Sequence, residues 1–393
     1  MVVTTQARRL VRAAWGTALV FAVSGATAGT WVSRLPAIRD RLHASTTELG
    51  LVLLAPGIGS LLSMPLTGRL CRRFGSRLTV AGTSVPACAA VALVGAVPTL
   101  HTLAITLFAW GLLYGAWDVA MNVQGSTVDQ RSGRVWMPRY HACWSLGGVL
   151  GAVAGALAAR AAVPVWVHFD VAALVSIALV LVALPAFVSD APPGEPDAPP
   201  DEPDEPDEPR PRRVLNARLL LIGLVTLCAT TIEGAAADWL PLYLVDVRGA
   251  PQSVAAGGFA AFALSMAVGR LAGTPIIERF GRAGAVRAGG LTSIAGVVLT
   301  VFGPALVTVY LGAFLWALGI CLMFPAAISA AGETPHRPAD AIATVATMGY
   351  GAFLVGPPLI GVLADQVGLG RALLVLVVLG AAISLLAPAM RDR

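Results

Sequence analysis

"DAPPGEPDAPPDEPDEPDEPRPRR", residues 190–213, is a stretch with nothing to bury. Proline alternates with acid, so the segment is expected to stay extended and solvated. The chain on either side has the opposite character. Of its 393 residues, 56% are hydrophobic and only 12% charged, about half the charged share of an ordinary globular domain. A helix needs ~20 apolar residues to cross ~30 Å of hydrocarbon. Measured with that ruler, six candidate spans precede the acidic stretch, near 13–35, 48–67, 78–98, 102–124, 139–159 and 164–187. Six follow it, near 216–245, 253–275, 285–303, 306–330, 340–363 and 370–389. The expected organisation is an N-terminal six-helix bundle over 1–189, a disordered cytoplasmic linker over 190–213 and a C-terminal six-helix bundle over 214–393. The fold class is an all-α membrane protein with twelve transmembrane helices.

Charge gives the orientation. The net charge of +5 comes with no lysine at all: the 27 basic residues are arginines, and their placement follows the spans. Twenty of them fall on one side, including Arg8, Arg9, Arg12, Arg69, Arg72, Arg73 and Arg77. Six fall on the other side, Arg34, Arg39, Arg41, Arg160, Arg248 and Arg371, and Arg270 lies within a span. Cytoplasmic loops carry the arginine excess, so both termini are expected inside, in a multi-pass protein of the cytoplasmic membrane. This asymmetry is a membrane footprint, and no nucleic-acid partner is expected. The start "RRLVRAAWGTALVFAVSGATAG" has the charged and apolar regions of a signal peptide, but more spans follow it, so it reads as the first helix. Five cysteines without metal-ligand spacing point away from a disulfide framework, and no cofactor or metal is expected.

The two halves repeat each other at a constant offset. Arg73-Phe74-Gly75 recurs as Arg279-Phe280-Gly281, 206 positions later, and the same shift relates Trp110 to Trp316, Trp144 to Tyr350 and Gly155 to Gly361. Two pseudo-symmetric six-helix bundles from a duplicated ancestor follow from that recurrence. Six plus six spans, a long central loop and "GRLCRRFGSR" at 68–77 together resemble the major facilitator superfamily. The family pattern Gly-x-x-x-Asp-Arg-x-Gly-Arg-Arg is met at Gly68, Arg73, Gly75 and Arg77, while Arg72 stands at the acidic position. The copy "GTPIIERFGR" at 273–282 meets it at Arg279, Gly281 and Arg282. "WDVAMN", residues 117–122, is similar to the acid-x-x-x-Asn element of fucose-permease-like sugar transporters, through Asp118 and Asn122. That group takes its proton on a carboxylate in helix 1, where this chain offers Ser24, Thr27 and Thr30.

Polar groups inside the spans are the candidate site, because a carboxylate facing lipid is costly and intramembrane charges are rare outside pathways. Asp118 and Asn122 share a helix face. Folding helices 4 and 5 about residue 131 sets His141 level with Asn122 and Ser145 level with Asp118, beside Trp144. With Tyr350, these residues are the candidate substrate site; a polar clamp between helices 4 and 5 is the alternative. Glu233 is the first candidate for proton coupling and Asp118 the second. Arg270 reads as a snorkelling base, a carboxylate partner or an anion contact, and Arg34 as an interfacial anchor or a guard of the outer mouth. Asp238 is placed near the outer end of helix 7, and Asp170 with His168 form an expected interfacial pair in helix 6. The resemblance also implies a cytoplasmic gate, with Asp129 opposite Arg73 or Arg77, mirrored by Arg279 or Arg282 with Glu333.

No lysine means no P-loop, and no Gly-x-Ser-x-Gly or His-Glu-x-x-His occurs, so an enzyme is not expected. The expected function is secondary active transport of a small solute by alternating access, with protons as the candidate coupling partner. The superfamily resemblance implies a monomer. A drug or metabolite efflux pump of the same fold, and a transporter-like solute sensor, are the alternatives.

Overall fold

The computed structural model describes residues 2–132, 136–190, 217–333 and 338–391. The acidic stretch at 191–213 therefore lies outside the described residues, and the domain boundaries expected on either side of it remain an expectation. No strand occurs among the described residues. The first half comprises α1 (Val2–Ser33), α2 (Leu35–Leu42), α3 (Thr46–Val52), α4 (Leu54–Ala96), α5 (Leu100–Ser132), α6 (Met137–Arg160) and α7 (Val165–Ala183). The second half comprises α8 (Ala217–Asp246), α9 (Gln252–Leu271), α10 (Gly273–Phe302), α11 (Leu306–Ile320) and α12 (Met323–Gly332), then α13 (Pro338–Tyr350), α14 (Ala352–Val367), α15 (Leu369–Ala372) and α16 (Val375–Leu386).

Eleven stretches among the described residues are long and apolar enough to cross a bilayer. One of them, Thr46–Ala96, runs for 51 residues. At 1.5 Å per residue that is far longer than one crossing requires. The chain divides it at Gly75, whose φ of 76° and ψ of 156° leave the helical region. Gly281 does the same inside α10, at φ 67° and ψ 162°. Only glycine adopts that backbone without steric cost, which explains why the repeated Arg-Phe-Gly keeps its glycine. The bend at Gly75 divides one of the eleven stretches in two, which gives the twelve crossings expected from the sequence.

Helix contacts are set by small residues. Gly147 and Gly151 of α6 face α1 so closely that a Cβ on either would fall on the carbonyl oxygen of Ala22 or Ala26. The glycine stripe thus lets two backbones touch, as small-residue stripes do where no apolar driving force favours protein over lipid. α6 packs along α1 on one side and along α9 of the second half on the other, and only lightly on α5. Large apolar side chains such as Leu150, Leu174, Val182, Val378 and Leu385 are left exposed on the outside, as a lipid-facing surface demands.

Candidate functional site

The two halves meet through polar groups at two depths. The first lies on the arginine-poor face. Arg39 of α2 presents both guanidinium Nη atoms to the carboxylate of Asp246 at the end of α8, with Nη2 2.7 Å from Oδ1, and it also holds the neighbouring Asp40. The hydrogen bonds Arg39 donates to Asp246 are the main cause of its raised pKa, so the cation is kept charged. Beside this pair the backbone N–H of Thr47 donates to Asp365 of α14 at 3.1 Å. There α3 and α14 run in contact, with Gly50 against Pro357 and Gly361. Deeper, Gly57 of α4 lies against Phe353. This face is closed.

The second meeting point lies inside the spans. Arg270 of α9 donates through Nη1 to Ser145 Oγ of α6 and through Nη2 to Glu233 Oε1 of α8, both at 3.1 Å. His141, one turn before Ser145, is within electrostatic reach of Arg270. Its ring lies edge-on to Phe21 at 5.4 Å and is solvent-exposed. Arg270 is therefore neither a snorkelling base nor a free cation. It is a bridge between halves, with a carboxylate partner from its own half.

The expected layer of helices 4 and 5 is redistributed. Ser145 does not pair with Asp118, because α6 leans on α1 and α9 rather than on α5; its hydroxyl donates to the His141 carbonyl and accepts from Arg270. Trp144 instead donates to the Tyr114 hydroxyl at 3.2 Å, which also joins Ser24 of α1, and so ties α1, α5 and α6 together. Asn122 donates to the Asp118 backbone carbonyl at 2.8 Å and reaches its carboxylate only at 3.5 Å. The Asp118 carboxylate, part-exposed, has no ion-pair partner among the described residues. It lies within electrostatic reach of Tyr114 and, across the halves, of Tyr350, whose ring stacks on Phe353. Asp238 lies eight residues inside the end of α8, about 12 Å along the helix. Trp31, Trp117 and Trp239 are buried in the packing.

On the arginine-rich face the expected gate pairs are only partly met. Asp129 accepts the backbone N–H groups of Trp136 at 2.9 Å and Met137 at 3.3 Å, and meets neither Arg73 nor Arg77. A carboxylate there satisfies the free amides that open α6, the usual task of an acid at a helix start. Arg73 lies over the Phe74 ring at 5.3 Å, Arg279 over Phe280 at 5.6 Å, and Arg77 is exposed. Arg282 does join Glu333, together with Ser329 Oγ at 2.8 Å, and Glu333 is also 3.7 Å from Arg218. The acid missing beside Gly75 is supplied from elsewhere: Asp190, the first residue of the acidic stretch, takes the Ser76 amide and hydroxyl and faces Thr127 at 3.3 Å.

Two further expectations are corrected. Arg34 is 5% exposed and His168 8% exposed, so both side chains are enclosed by protein rather than spread on the surface. Asp170 is exposed and does not pair with His168. His168 turns into the bundle against Gly155, which has no side chain to exclude it.

Helices long enough to cross a bilayer in two related blocks, closed at one face and joined by polar groups within the spans, define a membrane carrier. The profile of the Major Facilitator Superfamily matches residues 16–357, and the chain belongs to that family. It is 35% identical over 98% of its length to the whole of an uncharacterised transporter, y4wD, of Sinorhizobium fredii. Among solved structures it resembles the nucleoside transporter NupG, with a TM-score of 0.74 at 14% identity over 96% of this chain and 98% of that one. It also resembles FucP in the outward conformation, with a TM-score of 0.65 at 15% identity over 97% and 99%. The family is one of transporters, not enzymes.

Proposed function

We propose that this transporter is a secondary active carrier of a small polar solute in the cytoplasmic membrane, with both termini inside, working as a monomer and coupled to protons. The arginine-poor face is then the outer one, and the structure is the carrier sealed outside. The observation that carries the reading is the Asp118 carboxylate, which has no cationic partner among the described residues and lies within electrostatic reach of Tyr350 in the other half. A rocking motion about this layer would expose it to each side in turn, and a solute held by Asp118, Asn122, Tyr350 and His141 would be carried with it. Solute hydroxyls or a ring amine suit this set better than a hydrophobic drug. The nucleoside specificity named for NupG and the fucose-permease likeness of "WDVAMN" both fit such a ligand.

Glu233 and Asp118 divide the coupling between them. Glu233 already neutralises Arg270, so protonating it would release the guanidinium and loosen Ser145. Asp118 has no cation to lose, and it is the group free to take a proton with the solute. Arg73, Arg77, Arg279 and Asp129 lie at the inner face, free of the expected gate pairing and available to pair when that side closes, whereas Arg282 and Glu333 are already joined.

The test is a thermal-shift screen of the purified protein against sugars, nucleosides, amino acids and amines, followed by uptake of the hit into proteoliposomes. Asp118→Asn should abolish pH-driven accumulation and keep solute counterflow, whereas Glu233→Gln should also lower thermal stability by leaving Arg270 unpaired. Unchanged concentrative uptake in Asp118→Asn would overturn the assignment.

A further inference from the structure

Arg34 and His168 lie buried side by side at the outer end of the first half, where α1 gives way to α2 and α7 begins. Arg34 Nη2 donates to the Val163 carbonyl at 2.9 Å, but its Nε and Nη1 have no partner. Both ring nitrogens of His168 are likewise without one, and the two side chains are in electrostatic reach of each other. Four orphaned nitrogens thus belong to two neighbouring buried side chains, since Ser33, the residue before Arg34, and His168 Cε1 both lie against Gly155. The nearby Ser33 hydroxyl is turned away, donating to the Thr30 carbonyl at 2.8 Å. Among the described residues no carboxylate faces the pair: Asp170 is exposed, Asp40 is held by Arg39, and Glu48 is folded back on Ser45.

A guanidinium does not deprotonate, so the buried charge persists. Burying it without a counter-charge is strongly unfavourable, whereas a buried charge with a partner is ordinary. A water would satisfy some donors but would leave the charge uncompensated. What the place lacks is an acceptor that is also negative.

We propose that Arg34 and His168 form an enclosed binding site for a small monovalent inorganic anion of chloride size. Arg34 supplies Nε–H and Nη1–H, and His168 supplies a ring N–H. Gly155 lies close by: a Cβ there would be 3.5 Å from His168 Cε1 and would collide with Ser33, so the helices that carry the pair are tightly packed. The anion fastens the start of α7 to the α1–α2 corner. Because Arg34 immediately precedes α2, it also fixes the base of the helix that carries Arg39. The site is separate from the solute cavity, and its existence does not depend on the solute assigned above.

The experiment is thermal unfolding of the full-length protein in detergent, titrating sodium chloride, sodium bromide or sodium sulfate into sodium gluconate at constant ionic strength. The expected result is a saturable rise of several degrees with chloride and bromide, absent with sulfate, and lost in Arg34→Gln and weakened in His168→Gln. Should Arg34→Gln fail to fold, His168→Gln and equilibrium dialysis of radioactive chloride against the unmodified protein, expected at about one ion per chain, decide the matter. Equal unfolding temperatures in chloride and gluconate would overturn the site in favour of water. A chloride effect that persists undiminished in both variants, or that sulfate reproduces, would overturn it as well.

Discussion

The contact between Arg39 and Asp246 is the perturbation that tests the closure of the arginine-poor face, the outer one on the proposed reading, most directly. The pair is bidentate, with Nη2 2.7 Å from Oδ1, and its side chains are 14% and 31% exposed. Exposed pairs are worth ~0.2–1 kcal/mol, and a charged bidentate geometry partly shielded from water strengthens that. A coupling of about 1 kcal/mol remains after discounting for the exposure of Asp246. Since 1.4 kcal/mol is a factor of ten, Arg39→Gln or Asp246→Asn should shift the balance between outward-closed and outward-open forms about fivefold. The shift should be partial, because Thr47 still donates to Asp365 and Gly50 still packs on Pro357. Spin labels at His101 and Val367, with the five native cysteines replaced, report the separation of the halves at this face. Each single variant should populate a longer distance, and the double variant should match the singles rather than exceed them, as expected for two groups sharing one interaction. High salt should produce the same lengthening in the unmodified protein, because the screening length falls to ~3 Å at 1 M. Distances unchanged in all variants, or effects that simply add, would refute the reasoning.

Arg270→Gln should lower the unfolding free energy by about 2 kcal/mol, less than the ~3–5 kcal/mol of a fully buried broken pair because Glu233 is part-exposed. The double variant Glu233→Gln/Arg270→Gln should recover much of that loss in a thermal melt. Gly147→Val should fail to give a folded monodisperse peak on size-exclusion chromatography, since its side chain would occupy the space of the Ala22 backbone; Leu150→Val on the lipid face should be silent. Asp190→Ala should cost about 1 kcal/mol, the usual worth of a helix cap, and should raise hydrogen exchange at the Ser76 amide.

How much was legible in the sequence depends on the range of the interaction. Span length, arginine bias and the 206-residue repeat are properties of the chain read in one dimension, and they carry the twelve crossings without any knowledge of neighbours. Gly75 and Gly281 were visible as part of a repeated motif, and their positive φ values explain the repetition. The site was legible in membership but not in pairing. Glu233, Ser145 and Arg270 were each singled out, yet they join across 37 and 125 positions, and no spacing rule reaches that far. Reading helices 4 and 5 as a packed hairpin failed because the glycines of α6 admit the backbone of α1 instead. The Arg39–Asp246 contact was missed outright. Its only signal was an acid closing helix 7 and a base after helix 1 on the same side of the membrane.

The depth at which the polar contacts lie has a mechanical consequence. Opening the outer face means separating α2 from α8 and α3 from α14, which breaks Arg39–Asp246 and Thr47–Asp365 together. These contacts are near water, so each broken group is resolvated and the cost stays within the few kcal/mol that a carrier can reverse on every cycle. Arg270 has no such refuge, because losing Ser145 inside the spans would leave donors without water unless the cavity stays wet. The economical motion therefore hinges near Arg270 while the outer contacts open and close. In such a motion α6 and α9, which run together along their length, act as the bearing, and the small residues on α6 make that bearing smooth. A carrier built this way would tolerate loss of any single outer contact with a shifted balance. Loss of Arg270 would instead be felt as instability in every state, and that contrast separates a pivot from a gate.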